Sequence, residues 1–75
     1  MRNLTYKILL RPEPEGGFTV LVPSLPGCIT FGETVEESIK MAQEAVALYL
    51  EDLQKRGEDI PEEPNMFEYS LKIAV

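Results

Sequence analysis

The sequence predicts an α+β domain of element order β-β-β-α-β, an antiparallel meander sheet with one long helix across one face. Three observations predict it. Apolar residues alternate with period two around residues 4–10, 18–22 and 67–75, the spacing of a half-buried strand. One stretch, 35–56, instead carries apolar residues at spacings of three and four, with a capping signal at each end. Proline or glycine marks most of the junctions. Sequential strands tend to lie side by side, which gives the meander, and the helix then carries the chain back to the sheet for a last strand.

From Leu4 to Leu10, Leu4, Tyr6, Ile8 and Leu10 fall on one side and Thr5, Lys7 and Leu9 on the other. The next seven residues, RPEPEGG, withhold ladder donors at two prolines and permit positive φ at Gly16 and Gly17, so they form a hairpin loop. Phe18, Val20 and Val22 share the next strand face, opposite Thr19 and Leu21. Pro23 ends that run before Ser24-Leu25-Pro26-Gly27, where Pro-Gly signals a turn. A short third strand, Cys28 to Phe31, stops at Gly32.

Thr34 opens the helix as half of a reciprocal capping box. Its hydroxyl is placed to accept from the Glu37 amide, and the Glu37 carboxylate to reach back to the Thr34 amide. Glu36 and Glu37 sit where the helix dipole favours anions. Val35, Ile39, Ala42, Val46, Tyr49, Leu50 and Leu53 form the expected packed face, with Glu36, Lys40, Gln43, Glu44, Glu51 and Lys55 on the wet one. Gly57 is placed to end the helix at residue 56. Residues 58–65, with Pro61, Pro64 and four acids, read as an extended solvated connector. In the final strand Phe67, Tyr69, Leu71, Ile73 and Val75 oppose Glu68, Ser70, Lys72 and Ala74.

Composition narrows the function. At 44% hydrophobic and 27% charged residues, the 75-residue chain is an ordinary globular domain. A chain this short buries only about 60% of the surface its unfolded form exposes. Together with two apolar-rich outer strands, 4–10 and 67–75, this predicts a homodimer or a tetramer. Seven Lys and Arg against thirteen Asp and Glu give a net charge of −6, which repels phosphates, so no direct nucleic-acid binding is expected. The absence of histidine removes Ser-His-Asp and Cys-His catalysis and His-based metal sites. No apolar run suits a membrane span or a secretory signal, and the sequence reads as cytoplasmic.

The remaining chemistry is sparse. Cys28, the single cysteine, lacks a histidine partner and reads as a packed, inert thiol. The glycines have no phosphate-loop spacing. Tyr6, Met41, Tyr49, Met66 and Phe67 read as core or subunit interface rather than as a ligand pocket. Glu33, Glu36, Glu37 and Glu44 admit a second reading, a metal-dependent nuclease remnant, which the acid-free first strand disfavours. No catalytic, metal or cofactor residue is assigned.

The stretch Phe18–Glu37, FTVLVPSLPGCITFGETVEE, resembles the signature of the HicB-like antitoxin family. It has the V-P-x-L-P-G-C step with Pro23, Pro26, Gly27 and Cys28, then T-x-G-acid-T through Gly32 and Thr34, then Glu36 and Glu37 opening the helix. Ala45, Tyr49 and Leu50 in the helix and G-E-x-I-P at 57–61 extend the likeness over nearly the whole chain. The resemblance implies a truncated ribonuclease-H-like fold without that enzyme's activity. It also implies a partner, a small basic mRNA-cleaving toxin of HicA type, with an orphan oligomeric domain as the other outcome. Many members add a C-terminal DNA-binding domain, and the expectation here is a single domain, 1–75, without one. The acids expected to face such a toxin are Glu33, Glu36 and Glu37, then Glu44 and Glu51, then Glu58, Asp59, Glu62 and Glu63.

Overall fold

The computed structural model describes residues 3–63 and 67–75. Three antiparallel strands, β1 (Leu9–Pro12), β2 (Phe18–Leu21) and β3 (Ile29–Gly32), lie in the order β1-β2-β3 and are followed by one helix, α1 (Val35–Lys55). This is the α+β meander with a helix across one face. Leu10 pairs with Val20 and Val20 with Thr30, while Leu9, Leu21 and Ile29 line up on the opposite face. The Val20 face turns toward α1, which lies over β3 and β2, and Val20 is fully buried.

Where helix meets sheet, the expected packed face is shifted. Ser38, Ala42 and Leu53 are the buried residues of α1, whereas Val35 and Ile39 are exposed. Gly32 explains the shift. A Cβ placed on it would come within 2.5 Å of the Ser38 backbone nitrogen and Cα, so the strand touches the helix where only a glycine and a small residue fit. Ser38 satisfies its buried hydroxyl by donating to the Thr34 carbonyl at 2.6 Å. Gly32 does not have positive φ; its requirement is close approach.

Both caps form. The Thr34 hydroxyl accepts from the Glu37 amide at 3.0 Å. The Glu37 carboxylate accepts from the amide of Glu33, not from that of Thr34, at 2.9 Å. At the other end, the amides of Gly57 and Glu58 donate to the carbonyls of Gln54 and Leu53, with Gly57 at φ +71°, the paired bonds of a Schellman motif. Arg56 is therefore the cap and not the last helical residue.

The two terminal strands differ from expectation. Residues 4–8 keep their alternation, with Leu4, Tyr6 and Ile8 half-buried and Thr5 and Lys7 exposed, yet the ladder starts only at Leu9. β2 stops at Leu21, the partner of Leu9, so its ladder does not extend along residues 4–8. The connector, read as solvated, is instead anchored against them: the Tyr6 hydroxyl donates to the Pro61 carbonyl, and the Lys7 amide to Glu63 Oε2 at 2.8 Å. Residues 67–75 form no strand; Phe67, Tyr69, Leu71, Ile73 and Val75 are all exposed. Alternation supplies an apolar face, and among the described residues no neighbouring strand meets it. Met66 lies outside the described residues.

Candidate functional site

The signature residues build a clamp. In the loop between β2 and β3, the Leu25 amide donates to the Val22 carbonyl at 3.0 Å, the Cys28 amide to Leu25 at 2.9 Å, and the Val22 amide to Cys28 at 3.2 Å. Gly27 takes φ +81°, a backbone region closed to most side chains. The loop thereby drives Leu25, fully buried, inward with Val22 and Cys28, against Tyr6, Ile8, Ala45, Val46, Tyr49 and Leu50. Tyr49 closes it from the helix, its hydroxyl donating to the Pro26 carbonyl at 2.8 Å. Burial pushes the Cys28 thiol up, away from the reactive thiolate. Pro23, Pro26, Gly27, Cys28, Gly32 and Thr34 thus shape and cap the scaffold.

The acids separate into engaged and open groups. Glu63 is half-buried, accepting from the Ser24 hydroxyl at 2.6 Å as well as from Lys7, so it holds the connector. Glu37 caps the helix. Near the C-terminal end, Glu51 pairs with Lys55 at 3.2 Å, and Arg56 bridges Asp52 at 3.0 Å and Glu58 at 2.7 Å. Glu62 is exposed. The carboxylates of Glu33, Glu36, Glu44 and Asp59 are exposed, with no partner among the described residues. Glu37, Glu44 and Glu51 recur every seven residues, so they fall close to one line on the outer side of α1, spanning about 21 Å.

Sequence reasoning missed two residues. Leu48 is 67% exposed, lying between Glu44 and Glu51 on the same side of α1. Its signal was present, because Leu48 falls off the apolar stripe of the helix. Glu13, in the first hairpin, accepts from Thr19 at 2.5 Å and from Arg11 at 3.1 Å. The Thr19 hydrogen bond, followed by the Arg11 contact, holds its carboxyl below the ordinary value. Among the described residues, no group of three His, Cys, Asp or Glu side chains is arranged to hold a metal ion, and no helix is long and apolar enough to cross a membrane.

Comparison with known proteins adds the following. Residues 6–73 match the family model described as the HicB-like antitoxin of bacterial toxin–antitoxin systems. The chain is 38% identical over 58 residues to a UPF0150 protein of Thermoplasma acidophilum, covering 77% of this chain and 84% of that one. It is 36% identical over 61 residues to Antitoxin HicB 1 of Photorhabdus laumondii, covering 81% of this chain and 39% of that one. With Antitoxin HicB of Escherichia coli it shares 38% over 53 residues, 65% of this chain and 38% of that one. The match therefore spans most of the archaeal relative and well under half of either named antitoxin.

Proposed function

The chain belongs to the HicB-like antitoxin family of bacterial toxin–antitoxin systems, and from that premise we propose that it binds and neutralises a small basic mRNA-cleaving toxin of HicA type. It does so in the cytoplasm as a non-catalytic inhibitor. The observation that carries this reading is the exposed acidic side of α1, where Glu36 and Glu44 are unpaired among the described residues and Leu48 follows Glu44 by one turn. A toxin that cleaves RNA presents cations where phosphates sit. An acidic helix side offers those cations carboxylates in place of phosphate, and it steers the encounter at long range.

Charge alone gives rate more than affinity, which depends on a few desolvated anchors. Leu48 fits that role, an apolar side chain set among acids. Glu33 and Asp59 widen the acidic field, whereas Glu37, Glu51, Glu58 and Glu63 are committed to intramolecular partners and contribute less.

The test uses a purified HicA-type toxin, with association followed by stopped flow across ionic strength and RNA cleavage as the functional readout. Glu36→Lys, Glu44→Lys and Glu51→Lys combined should slow association and flatten its salt dependence. Leu48→Asp should speed dissociation and restore cleavage. Absence of any toxin binding would overturn the function. Normal binding with unchanged kinetics in both variants would move the interface off α1.

A further inference from the structure

We propose that the free edge of β3 receives an extended segment of the basic toxin as an added strand, an inference that rests on the function proposed above and states how the partner is held. The pairing of β2 with β3 fixes where the backbone of β3 points. Val20 lies opposite Thr30, and Val22 continues that register opposite Cys28, to whose carbonyl its amide donates at 3.2 Å. In an antiparallel ladder hydrogen-bonded pairs alternate with non-bonded ones, so Cys28, Thr30 and Gly32 direct their N–H and C=O groups at β2. Those of Ile29 and Phe31 point the other way, to the edge, where no backbone partner meets them among the described residues.

This edge is also unprotected. Natural edges are usually blunted by proline, by lysine or by a covering element, because an unpaired edge is a template for another strand. β1 carries Pro12, and the connector is tied just before its start through Lys7 and Glu63. β3 has neither a proline nor a charge, and the two residues whose backbone faces the edge are large and apolar, Ile29 at 60% and Phe31 at 44% exposed. Both side chains lie on the sheet face away from α1, so an added strand would lay every second side chain beside them.

The edge adjoins the acidic side of α1. Ser38 lies against Gly32 at the end of β3, and Tyr49 reaches Pro26 before its start, so α1 runs antiparallel to β3 across its face. Seen from the helix with β3 running upward, the Thr30 side chain points at the observer. The chirality of an L-residue then sends the N–H and C=O of Thr30 to the right, toward β2, which leaves the free edge on the left. A right-handed helix descending in front of this strand turns Ser38, Ala42 and Leu53 to the sheet. Its step of about 100° per residue brings Met41 and Leu48 to the left, with Glu37 and Glu44 just outward of them. Glu33 follows β3 directly. The edge is therefore bordered by Leu48 and by the carboxylates of Glu33 and Glu44, which are open among the described residues. That border fits a strand carrying basic and apolar side chains. A second copy of this chain fits poorly, because it would bring its own acidic border against the first.

The test uses the full chain, assembled by ligation at the single cysteine, Cys28, so that the amides of Ile29 and Phe31 can be N-methylated while every side chain stays. These methyl groups face the edge and spare the ladder to β2, so circular dichroism and urea unfolding of the free variant should match the parent. Binding of a purified HicA-type toxin should weaken at least about tenfold, since two hydrogen bonds are lost and the edge is blocked. Hydrogen exchange in the parent gives a reading that does not depend on the variant. The Thr30 amide should be protected with and without toxin, and the Ile29 and Phe31 amides only with it. Toxin binding that survives N-methylation, or Ile29 and Phe31 amides that still exchange freely in the complex, overturns the strand addition and leaves the antitoxin reading standing. Protection of these two amides that grows with the concentration of the free chain shows a second copy on the edge and overturns it as well. A parent chain that binds no toxin removes the function and the inference together, a pattern distinct from the other outcomes.

Discussion

Residues 4–10 and 67–75 follow the same rule in sequence and meet different fates in space. Both alternate with period two. In the first, Leu4, Tyr6, Ile8 and Leu10 are half-buried, and Tyr6 and Ile8 pack on the cluster of Val22, Leu25 and Cys28. In the second, every residue is exposed. The first segment has hydrogen-bonded neighbours on two sides, β2 from Leu9 onward and the connector before it, whereas the second has only its root beside Leu9. Alternation therefore specifies which face wants burial and says nothing about what buries it.

The largest test strikes the cluster that makes the difference. Leu25→Ala removes a fully buried side chain from under residues 6–8, and such a change costs about 2–5 kcal/mol. Against the total stability of a small domain this is a large share. Urea unfolding should show the midpoint fall sharply, and a loss below 1 kcal/mol would mean that the cluster does not hold the first segment. Gly32→Ala comes next. Its Cβ meets the Ser38 backbone, which cannot swing aside as a side chain would, so α1 must lift from β3 at a cost of about 1–3 kcal/mol. Ser38→Gly in the same chain would not relieve it, since the clash is with backbone atoms.

The legibility of the fold follows the same division. Local signals carried through: Thr34 caps α1, Gly57 ends it, Gly27 has positive φ, and β1, β2 and β3 pair as a meander. What a sequence does not display is where two elements touch. Ser38 displaced Val35 and Ile39 from the packed face because Gly32 comes close on the opposite side, a fact belonging to a pair of positions 6 residues apart. Likewise, Glu63 was one of several solvated acids in sequence, and only the fold brings Lys7 and Ser24 to it. The acidic helix face was readable as charge. The i,i+4 spacing of Glu51 and Lys55 displays their pairing in sequence, whereas the bridge by which Arg56 joins Asp52 and Glu58 across the helix end is not displayed.

Two smaller effects sharpen the contrast from the side of the ordered segment. Tyr6→Phe keeps the ring in the cluster and deletes the hydroxyl that reaches Pro61, so it should cost about 1 kcal/mol, the usual net worth of such a bond, and should raise hydrogen exchange along residues 60–63. Unchanged exchange there would show that Tyr6 does not hold the connector. The pH dependence tests the cluster itself. Burial raises the folded-state pKa of Cys28 above its unfolded value, so the unfolded chain releases the thiol proton first as pH rises. The stabilising contribution is complete below the unfolded thiol's pKa, near about 8.5, and is lost as pH climbs through the folded value. Cys28→Ala should show a smaller fall in stability than the parent chain above that pH; parallel curves would mean the thiol is not buried.

The smallest expected effect belongs to residues 67–75, and its smallness is the informative part. Leu71→Ser replaces a side chain that is 79% exposed within one molecule. In a dilute sample, where single chains prevail, stability should change by less than about 0.5 kcal/mol, as for other surface substitutions. At higher concentration the same change should become visible, because a partner that binds only the folded chain adds stability by mass action. The parent's melting temperature should rise with concentration and the variant's should rise less. Ile8→Ser gives the opposite pattern, a cost at every concentration, because Ile8 packs on the Val22, Leu25 and Cys28 cluster within one molecule. If Leu71→Ser were as costly as Ile8→Ser in dilute solution, residues 67–75 would be part of the single-chain core, and the two alternating segments would differ in position alone.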